Sequence, residues 1–434
     1  MAAADNVIHL PRPEGLRDPS TELGLYIRIG RNDHLTMLDL LAEGEKRIFG
    51  VVIDAQHTHR HRELRAETLK RGFDVILDPK THPLAMVGGH THTLSGLPWA
   101  EDRPHRLQDF DGSDGIVRAA KVAEFAIKND FTQLLGPTHF LQNHTDPWLA
   151  HDIRMMEKTR QFLDQESSDI ELIYPLSLPI DVLRTPAYRR AVIAALKDAP
   201  FDALWLKVDN FGGDASGDKT IAYIEACRDF HALGVPIVSD HVGGLPALGL
   251  MAFSAVGGIC HGVTLAERFN SYSWRKPQLG NSGRTPQVRV YIERLDAHLK
   301  PDEAKAFLNA SSRVKGRFGC TDTHCCNGVQ GQLARPARHY IHQRSREVTE
   351  LSNTPASIRV QSYLDKTVRK VSDDVAAVAG FGSVSDELKK KFAKKNKSIG
   401  TFRKAMANMA EADRLESVAQ VPERREARRK TKKQ

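Results

Sequence analysis

"FGVVIDAQHTHRHRELRAETLKRGFDVILD", residues 49–78, holds a strand, a helix and a second strand in thirty residues. "FGVVID" (49–54) and "FDVILD" (73–78) are short apolar runs rich in β-branched residues, and "HRELRAETLKRG" between them has helical spacing and ends on glycine. Neither run alternates apolar with polar, which is the pattern of strands buried on both faces of a parallel sheet. The unit recurs outward along the chain. "FTQLL" (131–135), "IELIYP" (170–175), "ALWLKV" (203–208), "PIVS" (236–239), "GGICH" (257–261) and "VRVYI" (288–292) complete eight strand-like runs. "DGIVRAAKVAEFAIKND", "DIRMMEKTRQFLDQE", "PAYRRAVIAALKDA" and "DKTIAYIEACRDFHALG" are the helical segments between several of them. Strand and helix alternating over about 250 residues predict an α/β fold, a (β/α)₈ TIM-type barrel. The expected division is an N-terminal extension at 1–44, the catalytic barrel at 45–300, a small subdomain at 301–375 and a basic tail at 376–434. A doubly wound open sheet competes, but no G-x-G-x-x-G follows an early strand, which counts against a dinucleotide-binding version.

Composition narrows the setting. The 434 residues are 41% hydrophobic and 27% charged, ordinary for a soluble globular protein. No apolar run approaches the ~20 residues that span a bilayer, and "MAAADNVIHLPRPEG" lacks the charged head and apolar core of a secretory signal. A cytoplasmic location and no membrane partner are the expectation, with thiols reduced and clustered cysteines serving as metal ligands. The net charge of +8 is uneven: 16 Lys plus Arg face 7 Asp plus Glu from residue 386 onward, leaving −1 for the first 385 residues. "LKKKFAKKNKS" and "ERREARRKTKKQ" are the densest runs, and "TFRKAMANMAEADRLES" (401–417) between them has a helical pattern. Such a helical and partly disordered tail is either a solvated end or an electrostatic hook for nucleic acid.

A barrel collects its active site at the C-terminal ends of its strands. The residues there are Asp54, Asp78, Lys207, Asp209, Asp240, His241 and His261. Aspartate is seldom buried unless paired, although any one of these could instead cap the helix that follows. Asp209 and Asp240 precede the glycine-rich loops "DNFGG" and "DHVGG", and Gly243 and Gly244 would let a ligand approach the backbone. The pairs His57/His59 and His90/His92 offer a second possibility, an open zinc site of a barrel hydrolase or deaminase.

Cysteines cluster in "GCTDTHCCNGVQGQLARPARHYIHQRSRE" (319–347). Cys320, Cys325 and Cys326, with His339 or His342, supply the donors of a closed tetrahedral zinc site. His342 is the expected fourth ligand and His339 the fallback. "ARHYIHQRSRE" resembles the "SRAYIHHL" helix that follows the zinc cysteines in the tRNA-guanine transglycosylases, and "SAVGGICHGVTLAERF" (254–269) is similar to that family's catalytic-strand segment. The order of parts is the same over residues 45–365, and the sequence match is concentrated at 320–347. Three departures stand out. The cysteines are spaced C-x4-C-C rather than C-x-C-x2-C, His261 stands where the family carries its nucleophilic aspartate, and Asp78 is followed by "PKTHPL" in place of S-G-G-F-Q. The chain thus looks most like the divergent branch that exchanges guanine in DNA for a 7-deazaguanine base.

That resemblance implies a pentosyltransferase, a glycosyltransferase acting on nucleic acid, DNA before tRNA. It implies structural Zn²⁺, a 7-deazaguanine base as co-substrate, and a homodimer or accessory proteins to open the duplex. Base exchange breaks an N-glycosidic bond through an oxocarbenium-like transition state, which a carboxylate stabilises or captures while a second group moves protons. Asp240 is the expected nucleophile and Asp78 the expected acid/base. Asp54 is the third carboxylate, and Asp209, Lys207, His241, His261, Gly243 and Gly244 are expected around base and ribose. A non-catalytic nucleic-acid-binding barrel is the other alternative.

Overall fold

The computed structural model describes residues 23–264, 266–276 and 288–413. Eight parallel strands close into a barrel: Gly24–Ile29, Gly50–Asp54, Asp74–Asp78, Gln133–Leu135, Glu171–Pro179, Ala203–Asp209, Ile237–Asp240 and Gly258–Gly262. The eighth pairs with the first, Tyr26 opposite Cys260. The expected TIM-type barrel is therefore present, but two of its parts lie elsewhere. The first strand, "GLYIRI", falls inside the segment assigned to an N-terminal extension. "VRVYI" contributes nothing to the barrel; Val290–Ile292 pairs antiparallel with Ala297–Leu299 in a separate ribbon. A run of apolar β-branched residues states a strand's burial and not its partner, so composition could not separate the two.

The period of two sorts side chains to the two faces of the barrel wall. Leu25, Ile27, Val51, Ile53, Val75, Leu77, Leu134, Leu172, Leu204, Leu206, Ile237 and Ile259 join the large core between strands and helices. Tyr26, Val52, Ile76, Leu135, Ile173, Trp205, Val238 and Cys260, one from each strand, form a second cluster that plugs the lumen. Two residues further along, five of these positions turn polar, at Arg28, Asp54, Asp78, Lys207 and Asp240, and the candidate site begins there.

The predicted helices form at Arg62–Lys70, Gly112–Lys128, Trp148–Gln165, Pro186–Leu196 and Gly217–Phe230. After the barrel come the ribbon and the helices Pro301–Leu308, Ser312–Phe318, Gly328–Ala334, Pro336–Ser352, Ala356–Ser362 and Arg369–Ala377. The tail is helical through residue 413, as expected, but this helix is packed on the protein rather than solvated. "LKKKFAKKNKS" lies within one long helix, Asp386–Asp413, which buries Leu388, Phe392, Ile399, Phe402, Met406 and Met409. A Cβ on Gly217 would stand 2.4 Å from that of Ala405, so the glycine lets this helix seat directly on Gly217–Phe230. "ERREARRKTKKQ" and residues 414–417 lie outside the described residues. Among the described residues no helix is long and apolar enough to cross a membrane.

Candidate active site and metal centre

Arg28 is the centre of the polar layer. Its Nε and one terminal nitrogen donate to the two oxygens of Asp240 at 2.7 and 2.6 Å. The other terminal nitrogen donates to Asp78 Oδ2 at 2.7 Å and reaches Asp54 Oδ1 at 3.4 Å. Lys207 Nζ lies 3.7 Å from Asp78 and 3.6 Å from Asp240 and contacts His82 Nε2 at 3.2 Å. The first, second, third, sixth and seventh strands thus deliver Arg28, Asp54, Asp78, Lys207 and Asp240 to one point. Sequence reading found four of these five and missed Arg28, His82 and the aromatic residues described below.

The carboxylates are not equivalent. Burial alone would raise Asp240, but Arg28, then His241 and Lys207, outweigh it and hold the carboxyl well below its usual range. Asp78 is held down likewise, against its burial, by Lys207 and Arg28. Both are ionised at neutral pH, so neither is a general acid. Both are saturated: Asp240 also accepts from His241 Nδ1 at 2.9 Å, and Asp78 Oδ1 accepts the Lys80 amide at 2.8 Å. Asp54 stands apart, with a side chain 23% exposed and only long contacts, to Arg28 at 3.4 Å and to Lys80 Nζ and Gln56 Nε2 at 3.5 Å. Burial lowers Lys207 to about 8 despite its acidic neighbours. His82 is pushed well below the usual imidazole range by burial and by Lys207, so it is neutral and accepts the ammonium's hydrogen bond.

Beside this cluster stands an aromatic shelf. The Trp274 ring lies 5.4 Å from His82, 5.2 Å from Phe269 and 6.1 Å from Phe140, and Phe269 lies 5.8 Å from His241. Phe269 comes from a two-residue ribbon, Arg268–Phe269 paired with Phe211–Gly212. The loop after the third strand crosses to the loop after the eighth: the Gly88 amide donates to the Trp274 carbonyl at 2.8 Å. A Cβ at Gly88 would stand 2.0 Å from the Lys276 carbonyl oxygen, so only glycine fits where "MVGG" crosses. Phe140 is set by its neighbour, since Asp152 clamps His139 at both the backbone amide and Nδ1, each at 2.8 Å.

Other expected site residues have structural partners. Asp209 accepts from the Ser271 amide at 2.6 Å and hydroxyl at 2.9 Å, which anchors the loop that carries Trp274. His261 is one residue off the inward register of Cys260. It points out of the lumen and meets the Tyr340 hydroxyl at 3.0 Å. Gly243 and Gly244 are filled by protein rather than open to a ligand. A Cβ on Gly243 would strike the Glu267 carboxylate at 2.1 Å, and Gly244, at φ +64°, abuts the Gly213 carbonyl.

In the C-terminal module, Cys320, Cys325, Cys326 and His339 place one donor atom each within 4.8 Å of one another. This corrects the expected ligand set: His342 turns away to within 3.7 Å of Asp322. The reason is helix phase. The Arg335–Pro336 turn lays the first turn of Pro336–Ser352 over the cysteines, where Arg338 Nε binds the Cys325 carbonyl at 3.1 Å. His339 belongs to that turn, and His342 is nearly a full turn beyond it. His339 Nδ1 lies 3.4 Å from Cys325 Sγ and 3.3 Å from Cys326 Sγ. A zinc tetrahedron has S-to-N edges of about 3.6 Å. Nε2 faces the Tyr291 carbonyl at 3.1 Å, the partner that fixes a ligating histidine's tautomer and leaves Nδ1 free. The residues therefore fit a closed structural site that could hold a metal such as zinc. Among the described residues this is the one such grouping of His, Cys, Asp and Glu, and neither H-x-H pair takes part.

No family model matches the chain, and no curated protein matches it. Among solved structures it is similar to a GH10 xylanase from Bispora sp. MEY-1, at 10% identity over 59% of this chain and 86% of that one, with a TM-score of 0.38. It is also similar to the carboxyl transferase domain of Rhizobium etli pyruvate carboxylase, at 11% identity over 90% of this chain and 61% of that one, with a TM-score of 0.37. Likeness at this level carries no argument about chemistry.

Proposed function

We propose that the protein is a base-exchange transglycosylase that replaces guanine in nucleic acid, DNA before tRNA, with a 7-deazaguanine base. The observation that carries this reading is the partly open Asp54 carboxylate at the edge of the buried Arg28 cluster, 23% exposed and held only by long contacts. An oxocarbenium-like sugar needs an anionic partner that is ionised, reachable and not already saturated. Asp54 meets the last two conditions better than Asp240 does, so the nucleophile is reassigned to it. A planar purine lifted from the stack would lie against Trp274 and Phe269. Asp54 attacks C1′ as the bond to the purine nitrogen breaks, and that bond's electron pair leaves with the purine. The Lys207–His82 pair supplies the proton the departing base takes up. The same pair accepts a proton from the incoming base as it displaces the carboxylate.

Asp54→Asn is expected to reduce incorporation of labelled guanine into duplex DNA by at least about 10³-fold with nucleic-acid affinity unchanged, a loss seated in the transition state. Full exchange by Asp54→Asn with Asp240→Asn inactive would restore the first assignment. No exchange by the unmodified protein on any guanine-containing DNA or tRNA leaves a binding barrel. Mass spectrometry of nucleosides from cells with and without the protein decides between DNA and tRNA. The pH profile adds an independent check. The Lys207 ammonium is the proton source and titrates at about 8, so the rate is expected to fall as pH rises through 8. Lys207→Met should remove that limb along with most of the activity.

A further inference from the structure

The long C-terminal helix has two opposed faces. Leu388, Phe392, Ile399, Met406 and Met409 are buried, whereas Lys390, Lys394, Lys397 and Lys404 are exposed. At 100° per residue these lysines fall within about 80° of arc, opposite the apolar stripe. None of the four makes an ion pair among the described residues, although Lys391 pairs with Glu303 at 2.8 Å and Lys389 with Asp386 at 3.9 Å. The helix is acidic only near its two ends, at Asp386, Glu387, Glu411 and Asp413.

Its placement gives the stripe a direction. Helix Gly217–Phe230 follows the sixth strand, which carries Lys207, so it starts at the catalytic face and runs down the barrel. Phe402 and Ala405 pack over its first residue, Gly217, and Asp413 pairs with Arg228 near its other end at 2.6 Å. The part of the long helix before residue 402 therefore extends beyond that start, on the side of the barrel mouth. Lys395 Nζ donates to the Asp296 carbonyl, and Asp296 Oδ2 accepts the Leu245 amide at 3.1 Å at the start of the helix after the seventh strand. Both contacts hold this half level with the loops around Asp240.

We propose that Lys390, Lys394, Lys397 and Lys404 form a rail that binds the phosphate backbone of duplex DNA beside the barrel mouth. The choice of DNA rests on the base-exchange reading; the rail itself rests on the stripe and its placement. Residues 390–404 span about 21 Å at 1.5 Å per residue, or about six base-pair steps at 3.4 Å. Fourfold positive charge with no protein counterion along that length complements a polyphosphate strand. The rail is distinct from the terminal run "ERREARRKTKKQ" and makes the docked helix the principal electrostatic contact.

The test is fluorescence anisotropy of a labelled 30-base-pair duplex against sodium chloride concentration. Three proteins are compared: the unmodified chain, the combined Lys390→Gln, Lys394→Gln, Lys397→Gln and Lys404→Gln variant, and a chain ending at residue 413. The fourfold variant should lower the log–log salt slope by about 3 to 4, since each phosphate contact contributes about 0.9. Between 50 and 200 mM salt the unmodified protein should then lose about a hundredfold more affinity than the variant. An unchanged slope in the variant, or a slope that falls only on truncation at 413, overturns the rail. So does a charge dependence seen with anionic phospholipid vesicles and not with DNA. Guanine exchange measured on the same duplex separates the two proposals. A lost slope without any exchange keeps the rail and removes the transglycosylase reading; exchange with an unchanged slope does the reverse. Equal thermal melts for variant and parent exclude a folding defect.

Discussion

Arg28→Met is expected to destabilise the protein by about 3–5 kcal/mol, the cost of removing one partner from a buried ion pair. Arg28 is 6% exposed and holds Asp240 with two short hydrogen bonds and Asp78 with a third. Methionine fills the volume and leaves Asp240 facing Lys207 and His241 alone. The pH dependence should change sign with it. In the parent, Asp240 is held below its usual range despite burial, so the unfolded chain binds more protons. Its contribution is present above about pH 4 and is lost as pH falls through the lower folded value. In the variant, burial is opposed by less charge, and the folded pKa moves up past the unfolded one. The folded state then binds more protons, and stability falls as pH rises from about 4. Chemical denaturation at pH 3.5 and pH 7 should show a gap between the two proteins that is smaller at the lower pH than at neutrality. An equal gap at both would mean that Arg28 acts through packing alone. Arg28→Lys should recover little, because one ammonium cannot replace a fork that reaches two carboxylates.

Arg28 also marks where sequence reading stops. The strand-end aspartates were legible because a barrel brings the ends of distant strands together whatever lies between, and Asp54, Asp78 and Asp240 needed only the fold to converge. "GLYIRI" presents one arginine in an apolar run, and nothing local marks that arginine as part of a site. Its role emerges only when closure places it between the second and eighth strands. His261 fails for the opposite reason: it ends a genuine barrel strand but has the wrong parity, and Cys260 takes the inward position. Asp209 ends a barrel strand as expected, yet Ser271, 62 residues away, occupies both its oxygens. Such partners belong to loops whose course no local pattern records. Trp274 and Phe140 escaped notice similarly, since an aromatic residue in a loop is by itself only a hydrophobe.

His339→Ala, Cys325→Ser and Cys326→Ser should each abolish stoichiometric zinc in elemental analysis, and His342→Ala should retain it. A closed metal site contributes its binding energy to folding, so the first three should lose at least about 4 kcal/mol of stability while His342→Ala loses little. The expected consequence reaches the barrel mouth through named contacts. The helix Pro336–Ser352 that carries His339 also carries Tyr340 and Arg344. Tyr340 binds Glu267, and Arg344 lies 3.1 Å from both Glu267 and Asp296. Glu267 immediately precedes the Arg268–Phe269 ribbon, and the same loop runs on through Ser271 to Trp274. Loss of the metal frees the first turn of the helix, weakens the Tyr340 and Arg344 brace, and loosens the aromatic shelf. Chelation should therefore reduce base exchange along with the melting temperature, and added zinc should restore both together. Full exchange with the metal removed would confine the site to the module's own folding. Full zinc in His339→Ala with none in His342→Ala would return the fourth ligand to the position that spacing first suggested.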